Sequence, residues 1–262
     1  MFAPLDLQPD DVTALLNTHS IGRSLDIRMS SGSTNDEAHR AALQGVSHGH
    51  TIVADQQTHG RGTRGRAWTS PPGSDLYFSV VCSDPMPAEA LPFLTLGVGL
   101  GIARGLQTHV TRQVKIKWPN DIWLDGKKCA GILVESRSAG PKLDYAVIGV
   151  GLNVNRDRLD PTLRNIATSM RLATGRRFER AAVLASVLDA MESEIQTLAS
   201  GNSNGLAKRV QQHLVGRGEA ARIDGCDGTL VGLAPSGALQ MLIDGKHREF
   251  RNGTLTFPGD QS

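Results

Sequence analysis

Residues 113–135 read QVKIKWPNDIWLDGKKCAGILVE, and this stretch decides the fold. Its first six residues alternate between polar and apolar side chains, which predicts a strand with one buried face. The pair Asp125-Gly126 predicts a tight hairpin turn, and Cys129–Glu135 predicts the returning strand. We therefore expect the returning strand to lie beside residues 113–118.

The elements on either side of this stretch alternate between strands and helices. β-branched, aromatic and apolar runs predict strands at Thr51–Gln57, Asp75–Cys82 and Leu143–Val150. Helical spacing and one apolar, glycine-containing run predict helices at Asp10–Asn17, Leu91–Gln107 and Arg180–Ala199. The sequence therefore predicts a mixed domain of the α/β (α+β) class.

The C-terminal tail has a different character. Turn pairs of Asp, Ser or Asn with Gly recur there, and short strands such as Thr229–Leu233 and Ala238–Ile243 lie between them. Regular spacing of this kind predicts a small β-barrel. We therefore divide the chain into an N-terminal extension (1–20), a main domain (21–215) and a small C-terminal domain (216–262).

Composition narrows the possible functions. The chain has 262 residues, of which 39% are hydrophobic, and this is the composition of a folded domain. Its net charge of only +2 creates no overall electrostatic field that would attract nucleic acid or a membrane. Its longest apolar run is too short to span a bilayer. Its N-terminus is acidic, so it does not have the pattern of a secretory signal. The N-terminal extension is too short for a helix-turn-helix module, so we expect no specific DNA binding. The three separated cysteines form no CxxC pair, which favours a reducing cytoplasm.

A loop rich in glycine and arginine follows the predicted strand Thr51–Gln57. Residues 60–66 read GRGTRGR, and Trp68 stands two positions later. Glycine lets the backbone approach a ligand, and arginine offers paired donors to phosphate or carboxylate. The loop indicates a phosphate-bearing ligand, with Trp68 available to stack on a base. A mobile basic loop and nonspecific RNA contact are alternatives that this loop alone leaves open.

Charged and amide side chains surround the turn of the opening stretch. Asn120 and Asp121 could hold a metal ion or a ribose, since Mg²⁺ prefers one or two carboxylates plus substrate phosphates. A structural ion pair between Lys117 and Asp121 is the alternative. The predicted hairpin brings Lys128 near Asp121, where a cation could neutralise charge between a carboxylate and a phosphate. Cys129 has no paired histidine nearby and is interpreted as a core residue.

Two further segments complete the candidate set. Ser33-Thr34-Asn35 is ordinary helix-cap chemistry, although the same groups with Gln57 could bind a urea or an amide. Gly149–Asn153 lacks the third glycine and the helix of a dinucleotide fingerprint, so we reject a Rossmann site. Its glycines favour a ligand lying against the end of a strand.

Taken together and in this order, these segments resemble the biotin–protein ligase family. The matching segments are Ser33-Thr34-Asn35, Gln57 with residues 60–66 and Trp68, Lys117–Asp121, Lys128–Gly131 and Gly149–Asn153. Each motif alone is weak, whereas the ordered set is specific. The resemblance implies a mixed sheet flanked by helices, related to class II tRNA synthetases and lipoate ligases, with a C-terminal SH3-like barrel. It also implies the monofunctional form that lacks a DNA-binding domain.

The resemblance further implies a two-step reaction that uses biotin and ATP with Mg²⁺. The biotin carboxylate attacks the α-phosphate of ATP and forms biotinyl-5′-AMP, and a lysine of an acceptor protein then attacks this anhydride. The implied partner is a biotin carboxyl carrier protein or domain of a biotin-dependent carboxylase. A homodimer that pairs an exposed strand edge of each subunit stays open.

The residue roles that the resemblance implies divide by substrate. The biotin-binding set would be Ser33, Thr34, Asn35, Gln57, Arg61, Gly62, Thr63, Lys128 and Gly131. The set for ATP and the adenylate would be Arg64, Arg66, Trp68, Lys117, Asn120, Asp121 and Asn153, and Asp121 would also hold Mg²⁺. Lys128 would be the main catalytic cation, with Arg61 beside it at the carboxylate.

One position departs from the family pattern. The usual loop is Gly-Arg-Gly-Arg-x-Gly-Arg, and Thr63 stands where the second arginine is expected. A neutral hydroxyl cannot supply the same charge, although Arg64 would replace part of it. We therefore predict weaker retention of the adenylate and leakier labelling than in an arginine-bearing relative.

Three other functions compete with this interpretation. A lipoate or octanoate ligase shares the fold, but its substrate has no ureido head to match the Ser-Thr-Asn and Gln57 cluster. An RNA-binding module would need stacked aromatics on the barrel, where Phe250 and Phe257 are the only aromatic residues. A non-catalytic biotin sensor would not need Lys128.

Overall fold

Seven strands form the larger of two β-sheets in the computed structural model, which describes residues 6–84, 86–87, 90–139 and 142–260. They are β1 (Leu25–Arg28), β2 (Thr51–Ala54), β3 (Leu76–Cys82), β4 (Val114–Lys117), β5 (Asp121–Leu124), β6 (Lys127–Ala139) and β7 (Lys142–Leu152). Their spatial order is β1-β2-β3-β7-β6-β5-β4. β1 and β2 are parallel and the other neighbours are antiparallel, so the sheet is mixed.

The hairpin predicted from the opening stretch needs a correction. Residues 118–120 make an earlier turn, so an additional strand, β5, pairs with β4. The turn at Asp125-Gly126, with a positive φ at both residues, then joins β5 to β6. The returning strand therefore lies beside β5 and not beside residues 113–118. β5 has only four residues and lies between two turns. Its alternation of side chains is therefore too brief to be recognised as a strand in the sequence.

Six helices are described: α1 (Pro9–Leu15), α2 (Thr34–Leu43), α3 (Leu91–Gln107), α4 (Met170–Thr174), α5 (Arg180–Ala199) and α6 (Leu206–Gln211). The predicted spans of α3 and α5 are confirmed. α3 can approach α5 closely because it is rich in glycine: a Cβ at Gly101 would lie 2.7 Å from Met191 Cα, and one at Gly105 would lie 2.7 Å from Ser186 O. α2 begins at Thr34, inside the Ser33-Thr34-Asn35 segment, whereas the cap chemistry of that segment indicated a helix that begins after it.

The helices cover opposite faces of the larger sheet. α3 lies against Ile116, Ile122 and Ile132, the apolar face of the hairpin strands. α2 packs through Ala38 on the other face, in a smaller buried cluster that includes Val147. No helix among the described residues is long and apolar enough to cross a membrane.

The C-terminal region forms the second sheet. Its five antiparallel strands are β8 (Ala220–Ile223), β9 (Cys226–Leu233), β10 (Leu239–Ile243), β11 (Lys246–Phe250) and β12 (Leu255–Thr256), in the order β11-β10-β9-β8-β12. The two strands predicted from the tail fall in β9 and β10. That this sheet is an SH3-like barrel, and that the domains divide at 20 and 215, stay predictions; residues 1–5 and 261–262 lie outside the described residues.

Candidate active site

Two rows of register partners cross the larger sheet on the face that α2 covers. Direct partners in a sheet project to the same face, so each row is a line of neighbouring side chains. The first row runs through Tyr77, Gly151, Gly131, Asp121 and Lys117. The second row runs through Ser79, Gly149 and Leu133. Glycine at three of these positions leaves a shallow floor on which other groups can lie.

Two of these glycines are required by close neighbours. A Cβ at Gly149 would lie 2.0 Å from Asn35 Oδ1, and a Cβ at Gly151 would lie 2.4 Å from Trp68 Nε1. Real Cβ atoms do not come this near to other atoms, so any larger residue would displace Asn35 or Trp68. The glycine-rich end of β7 therefore seats the two side chains that the sequence assigned to opposite ends of the ligand.

Hydroxyl and amide groups form one cluster above the second row. The backbone N–H and the hydroxyl of Thr34 donate to Gln57 Oε1 at 2.9 and 3.1 Å. Ser79 Oγ lies 2.8 Å from Thr34 Oγ1 and 2.6 Å from Asn35 Oδ1. Gln57 Nε2 donates to Ser70 Oγ at 3.1 Å. This buried set of donors and acceptors suits a small polar head group such as a urea.

Ser33 bears on the choice between capping and binding. It occupies the N-cap position of α2, but its side chain makes no capping hydrogen bond. It is one of the residues that line the cavity. The capping interpretation of Ser33-Thr34-Asn35 is therefore wrong for the serine hydroxyl, because the backbone geometry of a cap is met without it.

Acidic residues surround Arg61 at the edge of the cavity. Arg61 Nη2 lies 2.5 Å from Asp36 Oδ1 and 3.5 Å from Glu135 Oε2. Glu135 Oε2 also accepts from Asn35 Nδ2 at 2.7 Å, which turns the amide oxygen of Asn35 toward Ser79. One carboxylate therefore links the polar cluster to the arginine of the loop.

Lys128 lies beyond Trp68, outside the lining of the cavity, between an acid and an aromatic ring. Its Nζ is 2.7 Å from Asp121 Oδ1 and 5.2 Å from the centroid of the Trp68 ring. The additional strand β5 does not separate Lys128 from Asp121, since a register shift between Ile122 and Trp123 brings them together. A cation held over this floor can neutralise the charge of a carboxylate and a phosphate that approach each other.

The residues present fit a magnesium ion that is held mainly by substrate. Asp121 supplies one carboxylate, and the side-chain amide of Asn120 donates only its Nδ2, to Ile132 O at 2.9 Å, which leaves its oxygen available. Among the described residues no group of three or more His, Cys, Asp or Glu side chains could hold a metal. This donor set matches the preference of Mg²⁺ for few protein ligands plus phosphates and water.

Three predicted nucleotide residues contact other parts of the protein. Lys117 Nζ pairs with Asp260 Oδ2 at 2.6 Å and lies over the ring of Trp123, so a structural ion pair with Asp121 is not formed. Arg64 has a φ of 59° and donates to Thr254 Oγ1 in the second sheet. Asn153 is buried and donates from Nδ2 to Thr168 O at 2.9 Å. None of the three lines the cavity, and only Arg64 among them belongs to the glycine–arginine loop.

The loop itself is a small closed turn. Gly62 N donates to Arg66 O at 2.7 Å. Arg66 Nη2 donates to Thr63 Oγ1 at 3.3 Å. Thr63, which stands where the family pattern has an arginine, therefore accepts a hydrogen bond from a neighbouring arginine. Cys129 is buried and its burial raises its thiol pKa, which confirms its interpretation as a core residue.

The cavity gathers six of the sixteen predicted site residues: Ser33, Thr34, Asn35, Gln57, Arg61 and Trp68. The other ten lie outside its lining: Gly62, Thr63, Arg64, Arg66, Lys117, Asn120, Asp121, Lys128, Gly131 and Asn153. Its lining comprises Ser33, Thr34, Asn35, Gln57, Arg61, Trp68, Leu133, Gly149, Val150 and Gly151. Sequence reasoning missed Ser79, Glu135 and Asp36. Ser79 carried a usable signal, because it is a single hydroxyl inside an otherwise apolar strand. Asp36 and Glu135 carried none, since acids at the start of a helix and the end of a strand are ordinary.

Comparison with known proteins places this arrangement in a family. A model of the biotin/lipoate A/B protein ligase family matches residues 28–153. The bifunctional ligase/repressor BirA of Bacillus subtilis (strain 168) is 31% identical over 233 residues, which cover 88% of this chain and 72% of BirA. The biotin–[acetyl-CoA-carboxylase] ligase of Mycobacterium tuberculosis is 36% identical over 154 residues, 56% of each chain.

The fold has a solved counterpart as well. The biotin protein ligase from Aquifex aeolicus, in complex with biotin and ATP, matches with a TM-score of 0.78 and 29% identity. The match covers 89% of this chain and 98% of that one.

Proposed function

The chain belongs to the biotin/lipoate A/B protein ligase family as a biotin–protein ligase, and we propose that it activates biotin as biotinyl-5′-AMP and transfers the biotinyl group to a lysine of a biotin carboxyl carrier protein. The observation that carries this proposal is a polar cavity that is closed on one side by Trp68, with a lysine beyond that ring. The hydroxyl and amide cluster and Trp68 line the cavity, and Lys128 Nζ lies outside the lining, 5.2 Å from the centroid of the Trp68 ring. A substrate with a polar head and a carboxylate tail fits such an arrangement.

The polar end would recognise the ureido head of biotin. Thr34, Asn35 and Ser79 present hydroxyl and amide groups in a buried setting, where an unmatched polar group is costly. These groups hydrogen-bond to one another and to Gln57 and Glu135, and a urea offers donors and acceptors that can take the place of these bonds, whereas a ligand without hydrogen-bonding atoms at this end cannot. The cluster therefore supports biotin over lipoate or octanoate.

The other end would carry out the activation. A carboxylate oxygen of biotin attacks the α-phosphorus of ATP, and the bond to the leaving pyrophosphate breaks. Lys128 would lie between the two anions and reduce their repulsion, while Arg61 leaves its acidic neighbours to reach the carboxylate. Mg²⁺, held near Asp121 and the phosphates, would neutralise charge on the leaving group. Trp68 would stack on adenine, and residues Gly62–Arg66 would close over the phosphate.

The second step would use the same cavity. The neutral Nζ of the acceptor lysine attacks the acyl carbon of the anhydride, AMP leaves, and the nitrogen loses a proton to form the amide. The closed loop must exclude water until the acceptor arrives, because water would hydrolyse the anhydride. The free thiols Cys82, Cys129 and Cys226 support a cytoplasmic location.

Isotope exchange would test the first step without an acceptor. We expect labelled pyrophosphate to enter ATP when biotin and magnesium are present. Lipoate or octanoate in place of biotin should give no exchange. Exchange with lipoate but not with biotin would overturn the proposal and favour a lipoate ligase.

Transfer to a carrier domain would test the second step. We expect biotin on the acceptor lysine of a biotin carboxyl carrier domain, read by mass spectrometry, and none on a carrier with that lysine changed to arginine. Exchange of pyrophosphate without any transfer would indicate that the acceptor is a different protein.

A further inference from the structure

Positive charge is concentrated in the segment that follows β7. Residues 156–177 contain six arginines and two aspartates, with no lysine or glutamate, so they carry a charge of +4. The whole chain carries +2, and the rest of the chain is therefore negative overall. This concentration is local, and it concerns a segment that the catalytic proposal does not use.

The arginines line an open groove. A cavity of about 510 Å³ is bordered by Arg156, Arg158, Arg171 and Arg177, together with Pro71 and Pro72. The groove is separate from the cavity that holds the polar cluster, with no lining residue in common.

Two of these arginines are committed to acids of this chain. Arg156 is buried and pairs with Asp75 at 2.5 Å, and Arg171 Nη1 lies 3.3 Å from Asp157. Arg158 and Arg177 are exposed, and among the described residues neither makes a side-chain hydrogen bond or an ion pair, although Arg177 adds to the effect of Arg180 on the charge of Asp6. The groove therefore presents two exposed cations that can meet charges on another molecule.

The segment borders both ends of the nucleotide site. Arg156 Nη2 donates at 3.0 Å to the carbonyl of Thr69, the residue that follows Trp68. It also donates to the hydroxyl of Tyr77, which stands in the same row as Gly151. Farther along, the backbone N–H of Lys128 donates to Ile166 O at 3.0 Å. An acceptor protein whose lysine enters beside Trp68 and Lys128 must therefore approach this segment.

The chemistry of the groove fits an acidic protein surface. Its lining includes two acids, Asp157 and Asp160, beside the arginines, which opposes a continuous phosphate backbone. Ile166 and Leu172 in the same segment are 38% and 46% exposed, and they offer apolar contact to a folded partner. Resting on the proposed function, we propose that this arginine groove docks an acidic patch of the acceptor protein during biotin transfer.

A charge reversal separates docking from chemistry. In the double variant Arg158→Glu/Arg177→Glu, we expect kcat/KM for a biotin carboxyl carrier domain to fall about tenfold at low salt, chiefly through slower association. High salt should shrink the difference, since exposed charges are screened. Biotin-dependent pyrophosphate exchange, and transfer of biotin to hydroxylamine, should equal those of the unmodified enzyme, because neither needs a docked protein.

Matched variants make the result specific. Lys246→Glu/Arg248→Glu changes the charge by the same amount on the exposed strand β11 and should leave carrier kinetics unchanged. Arg158→Gln/Arg177→Gln should show a smaller loss, in the same direction. A carrier domain with acidic residues near its acceptor lysine changed to arginine should regain activity with the Glu double variant.

Several outcomes would overturn the inference. Unchanged carrier kinetics in the Glu double variant, or an equal loss in the β11 variant, would show that the groove does not dock the acceptor. Loss of binding to a fluorescent duplex DNA with unchanged carrier kinetics would assign the groove to nucleic acid. Absence of exchange in the unmodified enzyme would instead refute the proposed function itself.

Discussion

Lys128 is the residue on which the proposed chemistry depends most. Its ammonium group lies 2.7 Å from Asp121 and close to the ring of Trp68, and the next two residues of its strand, Cys129 and Ala130, are buried. The sequence singled out this lysine because a cation entering a buried strand is poorly explained by solvation. The structure adds the partner that holds it in place.

Replacing Lys128 tests its role as the main catalytic cation. Lys128→Ala should lower the rate of pyrophosphate exchange by about 100-fold or more, because preorganised charge at a reacting centre contributes on this scale. Lys127→Ala, one residue away and bonded to the carbonyl of Arg164, is the matched control and should retain exchange. Undiminished exchange in Lys128→Ala would show that Lys128 is not the main catalytic cation.

Thr63 tests whether a single missing charge weakens retention of the intermediate. Thr63→Arg should slow dissociation of biotinyl-5′-AMP by about 10-fold or more, since a hydrogen bond from a charged donor contributes roughly 1.5–3 kcal/mol. Release can be followed by trapping free adenylate in the absence of acceptor. Thr63→Gln adds length without charge and should have a smaller effect; equal off-rates for Thr63→Arg and the natural chain would reject the idea.

Glu192 predicts a pH-dependent contribution to stability. Burial alone would raise its pKa, but the backbone N–H groups of Ile21, His19 and Ser20 stabilise the carboxylate and the net pKa is lowered. A lowered folded pKa contributes stability above the unfolded value near 4.5, and this contribution is lost as the pH falls through the folded pKa.

The measurement compares Glu192→Gln with the natural chain in urea. Glu192→Gln should be less stable at pH 7, and the difference should diminish as the pH falls below about 4.5. Exposed Glu219→Gln is the control and should match the natural chain at both pH values. A difference that stays constant with pH would show that the carboxylate charge has no part in it.

At the scale of elements, the glycines of β7 separate the two ends of the cavity. Gly149 makes room for Asn35 and Gly151 makes room for Trp68, and the two positions are two residues apart along the strand, on the same face. The sequence indicated that a ligand lies against this strand end. It could not indicate which side chains from α2 and from the glycine–arginine loop fill the space, because both come from distant parts of the chain.

Paired alanine substitutions test this division. Gly149→Ala should raise the KM for biotin several-fold or more by displacing Asn35, with a smaller effect on the KM for ATP. Gly151→Ala should do the reverse, because the added Cβ displaces Trp68. Each variant is the control for the other, and identical effects of both on both substrates would contradict the division of the cavity.

At the scale of the whole molecule, one buried arginine ties three distant segments together. The side chain of Arg180 is fully buried, pairs with Asp6 and Asp55, and donates to the carbonyl of Asp75 at 3.0 Å. These partners belong to the N-terminal region, the end of β2 and the start of β3. The network therefore holds the start of β3, the strand that follows the glycine–arginine loop in the chain.

Removing this arginine should destabilise the protein strongly. Arg180→Met should lower the free energy of unfolding by about 3–5 kcal/mol, because it leaves Asp55 buried without its charge partner. Urea unfolding measures this change, and Arg176→Met, an exposed arginine over the Phe178 ring, should cost much less. Asp55→Asn should recover part of the loss in the Arg180→Met background. Equal stability of the two methionine variants would show that the network is dispensable.

Local pattern was sufficient for much of this protein and insufficient for the rest. The spans of α3 and α5, the strands of the tail and most cavity residues follow from periodicity, turn chemistry and ordered motifs, because these depend on neighbours within a few residues. The additional strand β5, the turn of Arg64 toward Thr254 and the ion pair of Lys117 with Asp260 do not. They depend on which distant segments meet.

By itself, the sequence determined a mixed α/β chain, its family resemblance and the chemistry of its candidate site, since hydrophobic alternation, glycine and charged motifs act locally. Only the tertiary structure decided which groups share one cavity, through the register that aligns Ser79 with Gly149 and Tyr77 with Gly151. It also decided that the arginines after β7 border that site. Register and packing are set by contacts between segments far apart in the chain, and spacing along one segment carries no record of them.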